Sequence, residues 1–154
     1  MNNKTKILVD GSNIAFFVRN EQKKAKLDTL EILINYLKKL SKEYGVEYQL
    51  LTDASLKYRI DNRDKLEEYY KCGVIIDCPK GVRADDFLIE YAKRHPNTTV
   101  IISNDSFRDY DINGLLLIKF GLIFNDVILK PNLTDLLNSI QSNYLKEDKA
   151  IESI

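Results

Sequence analysis

The stretch "VIIDCPKGVRADDFLIEYAKRHPNTTVIISND", residues 74–105, reads as strand, helix and strand in succession. "VIIDCP" (74–79) and "TTVIISND" (98–105) are short apolar runs, and residues 84–94 between them have helical periodicity. Such a unit implies a right-handed crossover joining two parallel strands. Leu88, Ile89 and Ala92 follow Asp85 at helical spacings, so Asp85 falls on the face expected to be buried. Charged groups are rarely buried unless paired or bound to a metal. The adjacent carboxylates of Asp85 and Asp86 therefore need something to face.

The alternation extends to both sides. "KILVDG" (6–11) is a strand ending at Asp10, and residues 27–45 form a helix with Leu30, Leu33, Ile34, Leu37 and Leu40 on one face. Asp28 and Glu31 are spaced as a capping box, and Gly45 supplies the stop. "VEYQLLTD" (46–53) is the next strand, followed by a helix over 62–73 with Asn62 as cap and Gly73 as terminator. Residues 112–131 read as a last strand with a hairpin-like return, and 132–146 as a terminal helix. The expectation is an α/β fold with three layers, α/β/α, around a central mostly parallel sheet. One domain over 1–146 with a frayed tail over 147–154 is the economical organisation.

The chain of 154 residues is 44% apolar and 30% charged, ordinary for a globular protein, and long enough for a sizeable core. No apolar run approaches the ~20 residues of a membrane span. "MNNKTKILVDG" does not read as a signal peptide, so a cytoplasmic location is expected. Cys72 and Cys78 are then expected to be reduced thiols. The single histidine, His95, precedes Pro96 and reads as a last-turn residue; one histidine and two cysteines cannot build a zinc site of the usual spacing. Equal numbers of basic and acidic residues, 23 each, count against coating nucleic acid through bulk charge, but leave room for a local basic rim.

Parallel sheets bind ligands at the carboxyl ends of their strands. Asp10 ends the first strand, Asp53 follows the second, Asp105 follows the fourth, and Asp85 and Asp86 open a helix at the same edge. Each has an ordinary alternative: first-turn acids complement a helix dipole, "DGSN" suits a turn and "SNDS" a cap. Their convergence on one edge is not explained by independent caps. Two carboxylates ~4 Å apart repel by about 4 kcal/mol at an effective dielectric of 20, so one is protonated or a cation neutralises them. All-oxygen donors suit Mg²⁺ or Mn²⁺, which can activate water and stabilise charge at phosphorus.

Other phosphate machinery is missing. No G-x-x-x-x-G-K-[ST] and no G-x-G-x-x-G occurs. "DGS" after the first strand lacks the Asp-x-Asp of a haloacid-dehalogenase-like phosphatase, and nothing pairs with Asp10 as a receiver domain requires.

"ILVDGSNIAF" (7–16), "ADDFLIEYA" (84–92) and "VIISNDSFRDY" (100–110) resemble, in that order, the three signature blocks of the Zc3h12a-like ribonucleases, of the NYN branch of the PIN-domain superfamily. The resemblance runs over about residues 5–131; "SLKYRID" (55–61) after Asp53 is similar to the compact prokaryotic members, and the Cys-x-Cys-x-His zinc finger of the eukaryotic ones does not occur. It implies a PIN-like (NYN) fold and a metal-dependent endoribonuclease that cuts single-stranded or loop RNA to 5′-phosphate and 3′-hydroxyl ends. By position, the family's metal-binding acids fall on Asp10, Asp85, Asp86 and Asp105. Asn13 and Asp109 match its supporting polar positions, Asn13 fixing Asp10 or a water and Asp109 orienting water or Arg108.

Lys80, Arg83, Arg108 and Arg59 are the candidate phosphate contacts, with Lys57 and Arg63 nearby and a basic loop at Arg19, Lys23, Lys24 and Lys26. The alternative for these cations is an ordinary solvated surface. Tyr58, Phe107 and Tyr110 suit either base stacking or core packing. The expected partner is RNA, single-stranded or stem-loop, with no membrane contact, and homo-oligomerisation stays open. The rival function is a non-catalytic PIN-like RNA-binding or assembly module.

Overall fold

The computed structural model describes residues 4–140. Its elements are β1 (Lys6–Asp10), α1 (Gly11–Ala15), α2 (Leu27–Tyr44), β2 (Glu47–Thr52), α3 (Arg63–Cys72), β3 (Ile75–Asp77), α4 (Ala84–Arg94), β4 (Thr99–Ile102), β5 (Leu116–Ile123) and β6 (Asp126–Lys130). A further helix, α5, runs from 133 to the end of the described residues at 140. The remainder of the expected terminal helix, 141–146, and the tail 147–154 lie outside them.

The six strands form one sheet in the order β3-β2-β1-β4-β5-β6. All neighbours pair in parallel except β5 and β6, which form the antiparallel return. Ile7 and Val9 of β1 face a large core with α2, α3 and α5, whereas Leu8 faces a smaller one with Leu88, Ile89 and Ala92 of α4. Burial on both faces is why the central strands read as continuous apolar runs. Helices on both sides complete the three expected layers. From β1 the chain steps outward to β2 and β3, then crosses back to β4 on the other side of β1. The strand order therefore reverses between β1 and β4, and the crevice above that point is where such sheets bind ligands.

The strands are shorter than expected. β3 keeps only Ile75–Asp77 and β4 only Thr99–Ile102; after Ile102 the chain leaves the ladder, and the Ser103 and Asn104 side chains bond Asp10 and Phe120 of the neighbouring strands instead. The capping box at Asp28 and Glu31 does not form. Instead Asp61, from the loop before α3, accepts from the Leu27 N–H at 2.9 Å, and Glu31 accepts from the Tyr69 hydroxyl. Asn62 does cap α3, accepting from Lys65 N, and Gly45 and Gly73 end α2 and α3 in the left-handed conformation. Both cysteines are free thiols and His95 closes the last turn of α4. Among the described residues, no helix is long and apolar enough to cross a membrane.

Candidate metal centre

Three acids meet at the switch point. Asp10 at the end of β1, Asp85 in the first turn of α4 and Asp105 in the loop after β4 each place a carboxylate oxygen within 4.8 Å of the other two. Asp10 and Asp85 are only 4% and 8% exposed, and Asp105 is the more open to solvent.

Each is held by short local bonds. Asp10 caps α1, one oxygen accepting from the Asn13 N–H at 3.4 Å and the other from Ser103 Oγ at 2.9 Å. The same Ser103 oxygen accepts from the Asp105 N–H at 3.0 Å, and Asp105 Oδ1 accepts from Phe107 N at 2.8 Å. Phe107 adopts φ +50 with its ring buried in the α4-side core, which pins the loop. Lys119 Nζ donates to the Asp105 carbonyl at 3.0 Å. Asp85 is set by the start of α4, where Asp53 Oδ1 accepts from Ala84 N at 2.7 Å.

The electrostatics follow from crowding. Burial, reinforced by the Asp85 charge, raises the Asp10 carboxyl to about 7, although the bonds from Ser103 and Asn13 pull it down. Burial and the Asp105 charge raise Asp85 too, opposed by the Arg83 guanidinium. Arg83 donates to Asp85 Oδ2 at 2.9 Å and lies 3.8 Å from Asp109. The trio is thus poised to take up a proton or a cation, and its all-oxygen donor set fits a hard divalent ion.

The other expected site residues are placed differently. Asp86 is outside the trio, exposed, and accepts from the Tyr110 hydroxyl instead. Asn13 steadies Asp10 through its backbone N–H, while its side chain accepts from Asn104 N at 2.9 Å and so ties α1 to the loop carrying Asp105. Asp109 faces Arg83 rather than Arg108. Lys80 and Arg108 are exposed, and the guanidinium groups of Arg59 and Arg19 lie over the Phe16 ring at 4.4 and 4.8 Å from its centroid. Tyr58 is 69% exposed between Lys57 and Arg63, whereas Phe107 is core. Three contributors escaped the sequence reading: Ser103, Asp53 as a cap, and Lys119. "SNDS" and the place of Asp53 after β2 were the available signals.

A cavity of about 810 Å³ lies between α4 and strands β1–β3, lined by Leu8, Leu51, Ile76, Phe87 and Tyr91. Lys6, Glu47, Glu90, Arg94 and His95 line it as well, but none of the three carboxylates does, and its acids Glu47 and Glu90 are engaged by Lys6 and Arg94, so the trio is the better candidate site.

Among solved structures, the fold is similar to nuclear proteinaceous RNase P 2 (PRORP2) from Arabidopsis thaliana, with a TM-score of 0.60 at 20% identity over 82% of this chain. The match covers only 29% of the PRORP2 chain. It is also similar to Rae1 (YacP) from Bacillus subtilis, with a TM-score of 0.50 at 15% identity, covering 97% of this chain and 84% of that one. No curated protein matches the sequence. The model of the Zc3h12a-like Ribonuclease NYN domain matches residues 3–119, and with three of the four expected acids gathered at the switch point of the predicted fold, the chain belongs to that family.

Proposed function

We propose that the chain is a metal-dependent endoribonuclease that hydrolyses phosphodiester bonds of single-stranded or loop RNA, with Asp10, Asp85 and Asp105 holding Mg²⁺ or Mn²⁺. The observation that carries this reading is the convergence of three carboxylates, from three separate elements, within 4.8 Å. At that spacing each pair repels by roughly 3 kcal/mol at an effective dielectric of 20. A fold that only needed caps has no reason to sustain this, and membership of a ribonuclease family supplies one.

A divalent ion bound there supplies Lewis-acid stabilisation of charge at phosphorus and lowers the pKa of water. The chain's own groups do the rest. Ser103 and the Asn13 N–H favour the ionised form of Asp10 and partly offset the burial that favours the proton. Asn13 and Ser103 together lock α1 and the Asp105 loop, so two acids 95 positions apart keep a fixed separation. Arg83, steadied by Asp109, along with Lys80 and Arg108, provides the positive charge a phosphate strand needs beside an acidic pocket. Asp86 serves here as the acceptor for Tyr110. A pure binding module would gain nothing from an acidic trio that repels phosphate, which disfavours the rival reading.

The test is incubation of the protein and its Asp105→Asn variant with labelled single-stranded RNA in Mn²⁺, Mg²⁺ or EDTA. Cleavage in metal to 5′-phosphate ends, absent in EDTA and in the variant, is expected. Cleavage that persists in EDTA, or in the variant at the wild-type rate, defeats the assignment.

A further inference from the structure

β4 ends at Ile102, which pairs with Ile118 of β5, yet β5 continues to Ile123; β6 is the one strand beside it there among the described residues, and the Asn104 side chain bonds the Phe120 N–H and carbonyl at its foot. Because β5 runs parallel to β4, its last five residues stand beyond the carboxyl edge of the sheet, on the side of the acidic trio. From Lys119 to Ile123 this projection is about 14 Å at the usual rise per residue.

The two faces of this hairpin differ. Phe120, Leu122, Val127 and Leu129 pack toward the larger core. Alternation puts Lys119, Gly121 and Ile123 on the other face, with Lys130, Ile128 and Asp126 directly opposite them. Lys119 is anchored at the foot of this face by its bond to the Asp105 carbonyl. Above the two lysines lie a bare glycine, where an added Cβ would meet nothing closer than 3.9 Å, and then Ile128 and Ile123, 37% and 59% exposed. Phe124 crowns it, 98% exposed.

Phe124 and Asn125 form the two-residue turn, with φ +49 and +65. Such turns favour Asn and Gly, and a bulky side chain at positive φ is an outlier. Neither burial nor backbone geometry accounts for a phenylalanine here. An outlier of this kind points to function.

We infer that this hairpin face is a substrate shelf: it holds the RNA strand on one side of the trio, Lys119 and Lys130 taking phosphates and Phe124 stacking an unpaired base. The inference rests on the nuclease reading above and extends it to a named binding surface. Cations lie near the acids, and Ile128, Ile123 and Phe124 lie farther out beside the exposed Asp126 carboxylate, an order that matches a strand whose phosphates must reach the centre while its bases turn aside. A second copy of the chain is the weaker occupant, because three apolar side chains fall well short of the ~800 Å² that each partner of a stable complex buries.

The decisive variants are Phe124→Gly, which relieves the positive φ and so cannot be excused by misfolding, and Phe124→Trp, which keeps an aromatic face. Cleavage of an oligoadenylate in Mn²⁺ is measured for each. Strand affinity is measured in the Asp10→Asn background by fluorescence anisotropy, for oligoadenylate and for an abasic ribose-phosphate strand of equal length. Phe124→Gly should raise KM and the oligoadenylate Kd by about tenfold, within the range of a lost base–aromatic stack. Its kcat and its abasic-strand Kd should stay within about twofold, and Phe124→Trp should behave as wild type. An unchanged oligoadenylate Kd in Phe124→Gly, or an equal loss on the abasic strand, overturns the shelf. So does a shift in sedimentation with no change in Kd, which would mark the face as a contact between copies. If the wild type cleaves RNA and Phe124→Gly is indifferent, only the shelf fails; if the wild type neither binds nor cleaves, the nuclease reading fails with it.

Discussion

Ser103 Oγ donates to Asp10 Oδ2 at 2.9 Å while accepting from the Asp105 N–H at 3.0 Å, so one hydroxyl fixes two members of the acidic trio. Its bond also opposes the burial that raises the Asp10 carboxyl to about 7. Ser103→Ala should therefore raise that pKa further. The acidic limb of kcat/KM against pH should move to higher pH, and apparent Mn²⁺ affinity at neutral pH should fall. Losing a buried hydrogen bond to a charged group should cost about 1–3 kcal/mol of stability. An unmoved acidic limb would separate Ser103 from the state of Asp10.

The raised Asp10 carboxyl also sets a pH dependence of folding without metal. Its folded pKa lies above the unfolded value of 3.8, so the folded state binds the extra proton, and this contribution is full below about pH 4. It is lost as pH rises through about 7, a penalty on the order of 4 kcal/mol. Thermal melts in EDTA should show the melting temperature falling between pH 5 and 8 in the wild type, and much less in Asp10→Asn. Mn²⁺ should reverse the trend by mass action on the folded state, with its largest stabilisation at pH 8. A wild-type melting temperature that is flat in EDTA would contradict the burial of this charge.

Arg83 sits on Asp85 at 2.9 Å, on the carboxylate a metal would need. Its charge both repels a cation and occupies an oxygen ligand. Arg83→Gln should consequently bind Mn²⁺ more tightly by calorimetric titration, although RNA affinity falls and the log–log salt slope flattens by about 0.7. The opposite directions for metal and RNA are the signature. Parallel losses would mean that Arg83 is structural.

Much of this site was legible because of strand ends. Asp10 and Asp105 terminate apolar runs, and a parallel sheet brings such ends together. The helical spacing of Leu88, Ile89 and Ala92 likewise marked Asp85 as buried. Asp86 stands apart from the trio for a reason already in helix geometry: neighbouring residues diverge by about 100°, so Asp85 turns to the crevice while Asp86 meets the Tyr110 hydroxyl. The caps were not legible. Asp61 satisfies Leu27 N from 34 positions away, and Asp53 satisfies Ala84 N from 31 away, pairings that exist only once the sheet has formed. Local spacing therefore favoured the capping box at Asp28 and Glu31.

Asp53 offers its own test. Asp53→Ala removes the acceptor for Ala84 N and should cost about 1–2 kcal/mol, as lost N-caps do, with a matching fall in activity through Asp85. Asp53→Asn keeps an acceptor oxygen and removes a charge that raises both Asp10 and Asp85, so it should retain the wild-type melting temperature. Chemical denaturation of both variants checks this. Equal destabilisation would assign the carboxylate a role beyond the cap.

Gly11 follows Asp10 and opens α1 against the end of β2. A Cβ built there would lie 2.8 Å from the Leu51 carbonyl oxygen and 2.8 Å from Thr52 Cγ2. The first neighbour is backbone in a paired strand, since Asp10 and Leu51 are register partners, so it cannot yield without breaking the sheet. Gly11→Ala must instead push α1 outward, and with it the Asn13 N–H and the Asn13 side chain that hold Asp10 and the Asp105 loop. Overpacking of this kind costs about 1–3 kcal/mol. Displacing a catalytic group by ~1 Å can cost about a hundredfold in rate. The variant should thus remain folded at 25 °C by circular dichroism while losing most RNA cleavage and most of the Mn²⁺-induced rise in melting temperature. A Gly11→Ala protein with wild-type turnover would show that α1 can move without disturbing the trio, and that Asn13 does not position it.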